Sequence, residues 1–440
     1  MDPHKDQDAP LDLPVEPIHR IVNPLIRFLH VETASGVALL LATVAALILA
    51  NSPAQESYRA FWDRPLSLQI GAFSLSHSLQ DWINDGLMVI FFFVIGLEVK
   101  REVVLGELRD IRRAMLPIVA AIGGMVAPAG IYLALQYGQP GERGWGIPMA
   151  TDIAFVVGCM ALLGPRVPHG LRVMLLSLAI ADDIGSILVI AVGYTESLHF
   201  GALVIGLVWI VFVVAFRWLG VRNMGVYVFL GIMVWLAFLK SGVHPTISGV
   251  ILGLLTPSRS YLSEGAFIAW LDRARRRLEG DWAKKPERAE QIRQLQWVAR
   301  ETISPLEYLE QVLHPWVAFG IMPIFALANA DVPFQVTTIV APASIAVMLG
   351  LVIGKPVGIL LASWLAVRAG LAKLPDGVGW PTLLGAGCLA GIGFTMALFI
   401  ADLALSGPLL DEAKIGILSG SVLSAALGMA VLMRTSARTN

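Results

Sequence analysis

Residues 176–189 read LSLAIADDIGSILV, and the adjacent carboxylates Asp182 and Asp183 at its middle decide how the chain is organised. Apart from that pair and Arg172, the run from Leu171 to Val192 carries no charge, which is the pattern of a membrane-spanning helix. On insertion scales a charged side chain at a bilayer centre costs about 2.5–3.5 kcal/mol, so two neighbours there point to an ion or proton pathway. Successive helical residues point roughly 100° apart, so one Asp can face an aqueous cavity while the other faces an adjoining helix. The competing readings are a short loop between two spans, or a pair silenced by salt bridges.

The remaining composition agrees with a membrane protein. Of 440 residues, 56% are hydrophobic and 15% charged, and the mean hydropathy is +0.71. Soluble domains carry about 25% charged residues. A net charge of -1 argues against a nucleic-acid partner. The two cysteines, Cys159 and Cys388, lie in apolar runs and imply neither a disulfide framework nor a metal site. The sequence holds no Gly-rich phosphate loop, no HExxH and no GxSxG, so neither an enzyme nor a cofactor is expected. Residues 1–20 are polar, acidic and proline-rich, without a basic segment followed by an apolar one; they read as a cytoplasmic tail, not a cleaved signal.

Twelve apolar segments are candidate spans: 34–51, 82–99, 114–136, 146–164, 171–193, 201–217, 223–240, 243–256, 314–331, 339–367, 382–404 and 413–433. An even number places both termini on one side. With the N-terminus inside, inner segments hold 26 of the 32 Lys and Arg, outer segments five, and Lys355 lies deep in a span. Basic residues stay on the cytoplasmic side, so both termini are expected there, flanking a unit over 21–434 and a tail over 435–440.

Several segments carry more than apolar length. Within the outer loop 55–80, residues 66–76 (LSLQIGAFSLS) alternate apolar and polar around Gly71, which predicts a β-hairpin; an irregular loop is the alternative. A lone hairpin is marginal, so it would lie on the protein or pair with a second copy through its open edge. The second span has Asp85 near its outer end, and Glu98, Lys100, Arg101 and Glu102 cluster at its inner end. That cluster reads either as a solvated helix end or as a pore mouth that senses pH. The fourth span holds Thr151 and Asp152, and the eleventh holds Gly385, Gly387, Gly391 and Gly393 beside Thr395. Glycine costs a helix about 1 kcal/mol relative to Ala, so both spans are candidates for interruption; close helix packing is the alternative. His244 sits in the short eighth span, where an interfacial role competes with a functional one. The loop 257–313 is basic and reads as a surface helix or disordered segment near anionic lipid. Lys355 needs a carboxylate partner, and the intramembrane aspartates are the candidates.

Seven strings in order resemble one family: INDGLMVIFFFVIGLEVKRE (83–102), PMATDIAFVVG (148–158), LAIADDIG (178–185), LKSGVHPTISG (239–249), LEQVLHPWVAFGIMPIFALANA (309–330), IGKPVGI (353–359) and AGIGFTMALFIA (390–401). The chain resembles the NhaA-type sodium–proton antiporters, which are among the known inverted-repeat transporters with broken helices. The resemblance implies an all-α fold of twelve transmembrane helices, with spans three to five and ten to twelve as inverted repeats and the fourth and eleventh broken and crossing. It further implies Asp183, with Asp182 and Thr151, as the site for Na+ or Li+ and for protons. Asp152 and Lys355 would compensate half-helix dipoles, and Lys355 would also pair with Asp182. Glu98, Arg101, Glu102, His244, Glu310 and His314 match positions tied to pH response, and Asp85 a polar position of the outer half.

The implied activity is pH-regulated, electrogenic exchange of cytoplasmic Na+ or Li+ for external H+ across a bacterial-type inner membrane. It would serve pH homeostasis and salt tolerance, in a homodimer joined through the 66–76 hairpin. A sodium-coupled solute symporter is the alternative. Gln311 stands where some members have a histidine, and the loop 257–304 and the N-terminal tail are longer than the pattern expects.

Overall fold

Lipid offers a polypeptide no hydrogen-bond partners, so an apolar run satisfies its backbone by coiling into helix. The computed structural model describes residues 32–70, 73–195, 198–262, 264–278, 288–334 and 336–436, and helix occupies each of the twelve apolar segments. The expected N-terminal tail and residues 437–440 lie outside the described residues.

The chain opens with α1 (Glu32–Ala50) and α2 (Gln55–Trp62), bent by 119°. β1 (Pro65–Ile70) and β2 (Phe73–Ser78) then pair antiparallel, with Leu66 opposite His77 and Ile70 opposite Phe73. This is the hairpin that the alternation predicts; its turn, with Gly71, lies outside the described residues. α3 (Leu79–Trp82) runs through a π-turn, Ile83–Leu87, into α4 (Met88–Val104). α5 (Ile111–Gln136) is followed by a 3-10 segment, Glu142–Met149, and α6 (Ile153–Leu163). Next come α7 (His169–Gly193), α8 (Phe200–Trp218), α9 (Met224–Ser241) and the ten-residue α10 (Thr246–Leu255). The basic loop contributes α11 (Glu264–Leu278) and α12 (Arg288–Thr302).

α13 (Pro305–Trp316) passes through the π-turn Val317–Ile321 into α14 (Met322–Asn329). After α15 (Val336–Ile339), α16 (Pro342–Leu349) passes through a third π-turn, Gly350–Gly354, into α17 (Lys355–Arg368). α18 (Trp380–Ala390), α19 (Phe394–Ala404) and α20 (Pro408–Ser436) complete the chain. Among the described residues, eight helices are long and apolar enough to cross a membrane, or up to ten if each bent pair counts as one span.

Two interruptions shape the centre. Before α6 the chain is extended, with ψ 147° at Ala150 and 101° at Asp152. Between α18 and α19 it breaks at Gly391–Gly393 with a 48° bend. The glycines there act by close approach more than by low helix propensity. A Cβ on Gly391 would lie 2.4 Å from the Leu351 carbonyl oxygen, and one on Gly393 would lie 3.0 Å from that of Ala150.

Apolar surface in lipid gives helices no reason to associate, so close packing of small residues does that work. α4 meets α10 through Gly96, Gly249 and Gly253, and α5 meets α17 through Gly123 and Gly358. The short α10 is capped by cations, as Lys100 Nζ and Arg217 Nη1 donate to the carbonyls of Leu254 and Leu255 at 2.6 and 2.9 Å. A Cβ on Gly358 would stand 2.1 Å from the Gly123 carbonyl oxygen. Gly358→Ala is therefore expected to destabilise the fold by about 1–3 kcal/mol, read as a lower unfolding temperature in detergent. An unchanged temperature would mean that α5 and α17 do not need this contact.

Candidate ion-binding site

The two interruptions meet. The Asp152 N–H donates to the Ile392 carbonyl at 2.7 Å, and Thr151 Oγ1 donates to the Ala390 carbonyl at 2.9 Å. Each break thus satisfies part of the other's unbonded backbone. Asp152 is the N-cap of α6, where Oδ1 accepts from the Phe155 N–H at 3.3 Å. Its Oδ2 accepts from the Thr395 N–H at 3.0 Å, in the first turn of α19, and from Thr395 Oγ1. One carboxylate therefore stands at the positive ends of two half-helices.

Lys355 lies at the opposite kind of helix end. Its ammonium donates to the Met149 carbonyl, the last residue of the 3-10 segment, and to Asp182 Oδ2 at 2.7 Å. Lys355 and Asp182 are each 0% exposed, so this is a buried ion pair. The pairing that the cost of an intramembrane lysine demands is present, with Asp182 as its member.

Asp183 differs. It is 3% exposed, it makes no ion pair among the described residues, and its Oδ1, like that of Asp182, has no hydrogen-bond partner there. Thr151 borders Asp182 and is itself buried. Both aspartates are enclosed, so the expectation that one faces an open cavity is not met in this conformation. A cavity of about 710 Å³ is lined by Glu102, Glu107, Arg113, Leu176 and Ser177. Leu176 precedes Asp183 by two helical turns on nearly the same face, roughly 10 Å along α7.

The charged residues expected at the pore mouth do gather at the C-terminal end of α4. Arg101 Nη1 lies 2.5 Å from Glu310 Oε1, and His314 Nδ1 lies 3.7 Å from Glu98 Oε1. Glu102 Oε1 accepts from Ser177 Oγ at 3.0 Å and from the Glu107 N–H at 3.1 Å. His244 is not among them. It sits at the other end of α4, with Nε2 3.6 Å from Asp85 Oδ1, Nδ1 2.7 Å from Thr246 Oγ1 and its ring edge-on to Phe399. Beside it, Asn84 and Asn329 exchange amide hydrogen bonds, and Asn84 Nδ2 donates to Asp402 Oδ2 at 2.8 Å.

Comparison with known proteins agrees with this architecture. Residues 26–432 match the family described as Na+/H+ antiporter 1. The chain belongs to the Na+/H+ antiporter 1 family. Its similar relatives include proteins named Na(+)/H(+) antiporter NhaA from Rhodopirellula baltica and Rhizobium meliloti. The first is 54% identical over 97% of each chain. The second is 52% identical over 96% of this chain and 98% of the relative. A protein of Acidiphilium cryptum named Na(+)/H(+) antiporter NhaA 2 is 51% identical over 96% and 94%.

For a member of the Na+/H+ antiporter 1 family, some of the site escapes a reading by charge and motif. Asn84 and Asn329 are uncharged and lie 245 residues apart, so only the fold pairs them. Asp402 closes an apolar run, where a carboxylate reads as interfacial. Removing one member of a buried ion pair costs about 3–5 kcal/mol, because it strands the other charge. Lys355→Ala is accordingly expected to lower thermal stability by about that amount, and adding Asp182→Asn is expected to recover much of the loss. A Lys355→Ala protein as stable as the parent would show that loss of the lysine does not leave Asp182 as a stranded buried charge.

Proposed function

We propose that this chain exchanges Na+ or Li+ for H+ at Asp183, assisted by Asp182 and Thr151, through alternating access. The observation that carries the reading is the unequal state of the two carboxylates. Asp182 is ion-paired with Lys355, whereas buried Asp183 has no ion-pair partner among the described residues. Hard cations prefer oxygen ligands, and a carboxylate that binds a proton no longer neutralises a cation. The site therefore holds protons or a cation, and not both.

Lys355 and Asp152 hold the crossing together while the site changes occupant. A cation arriving at the carboxylates competes with the Lys355 ammonium for Asp182, so binding loosens the contact that ties α7 to α17. That gives the bound cation a differential effect on two arrangements of the helices, which alternating access requires. More than one group changes protonation in each cycle, which makes the exchange electrogenic. Glu98, Arg101, Glu102, Glu310 and His314 form the pH-responsive mouth, because histidine is the side chain whose charge changes across the physiological range. His244 with Asp85 serves the outer mouth.

The proposal extends to twelve spans in inverted repeats, both termini in the cytoplasm and residence in a bacterial inner membrane. It is supported by the two three-part sets, α5–α7 and α16–α20, each with an interrupted middle. The two-stranded hairpin is proposed to join two copies by edge pairing. A sodium-coupled symporter would need an organic solute for ion flux, and the similarity to named Na+/H+ antiporters speaks for exchange instead.

The test uses everted membrane vesicles energised by respiration. NaCl or LiCl, but not KCl, is expected to collapse the pH gradient, increasingly as pH rises, and Asp183→Asn is expected to abolish the response while the protein stays folded. Normal exchange by Asp183→Asn would overturn the assignment.

A further inference from the structure

α7 carries a third buried oxygen beside the two aspartates. Ser186 is 1% exposed, and its Oγ has no hydrogen-bond partner among the described residues. A hydroxyl in a helix ordinarily bonds the carbonyl four residues back. Thr43 in α1 and Thr302 in α12 do so, as do Thr195 and Thr256 just past the ends of α7 and α10. Ser186 does not, and leaving a buried hydroxyl unbonded is costly.

Its position explains where it points. Around a helix of 3.6 residues per turn, Ser186 falls about 40° from Asp182 and about 60° from Asp183, inside the sector that the two carboxylates enclose. Helical side chains lean toward the N-terminus, so Ser186 leans over the turn that holds the pair. Asp182 Oδ1, Asp183 Oδ1 and Ser186 Oγ are thus three buried, unpartnered oxygens on one turn and one sector of one helix. Three other buried serines, Ser344, Ser363 and Ser424, also lack a partner, but none has a carboxylate within four residues. Ser424 instead lies against Gly391, and the Ser344 backbone against Gly416, at close helix contacts.

We infer that Ser186 Oγ is a neutral oxygen ligand for the alkali cation bound at Asp183. A hydroxyl adds coordination without adding charge, so it favours a hard cation while leaving fewer protons to displace. The inference rests on the exchange reading above and adds a residue to its site.

The test measures Na+ and Li+ dependence of exchange in vesicles and Na+-induced thermal stabilisation of the purified protein, in the parent, S186A, S186T and D183N. S186A is expected to raise the KM for both cations about five- to tenfold with the maximal rate nearly unchanged, the mark of lost binding. S186T, which keeps the hydroxyl, is expected to stay near the parent. A parental KM in S186A, or a KM in S186T as high as in S186A, would overturn the inference. If S186A is recovered unfolded, S186C takes its place: similar in size but with a soft sulfur, it is expected to show the raised KM, and a parental KM overturns the inference. D183N separates the two levels, since its normal exchange would remove the underlying reading, while its inactivity beside a parental S186A removes only the role of Ser186.

Discussion

Two interrupted helices can sit inside an apolar protein only if something satisfies the backbone that the interruptions expose. Here they satisfy one another. The peptide from Ala150 to Asp152 and the turn at Gly391–Gly393 cross, share backbone and side-chain hydrogen bonds, and leave positive helix ends facing Asp152. The same crossing leaves the carbonyl end of the 3-10 segment facing Lys355, which brings a cation to Asp182. The ion pair, the extended peptide and the glycines are consequences of one arrangement.

In the proposed exchange, that arrangement turns an expensive feature into a switchable one. A buried pair between Lys355 and Asp182 contributes little net stability, since desolvation offsets most of its attraction. It can therefore be opened by a competing cation at modest cost. Asp183, enclosed and short of a partner, is the group with most to gain from a proton or a cation. At the C-terminal end of α4, Glu98 lies 3.7 Å from His314.

Much of this was legible in the sequence, for physical reasons that differ from residue to residue. Asp182, Asp183 and Lys355 are conspicuous because charge inside apolar runs is costly, and that cost also implies that they pair. The hairpin shows in a period of two. Other features leave no such trace. The contacts of Thr151 and Asp152 with Ala390 and Thr395 join segments 239 and 243 residues apart, and no spacing encodes them. The π-turns at Ile83–Leu87, Val317–Ile321 and Gly350–Gly354 shift the helix register without a residue signature. The break glycines read as weak helix formers, yet their work is to admit a carbonyl oxygen where a Cβ would collide. His244 reads as part of a pH-responsive set, but the fold places it with Asp85, away from Glu98 and Glu310.

In the proposed exchange, proton and cation occupy one site in turn. The decisive measurement counts the protons released when Na+ is added to the purified protein in weakly buffered detergent solution. Release is expected to saturate with Na+, appear also with Li+, be absent with K+ and vanish in Asp183→Asn. Saturable Na+ binding with no proton release would contradict it, because the cation and the proton would then bind independently.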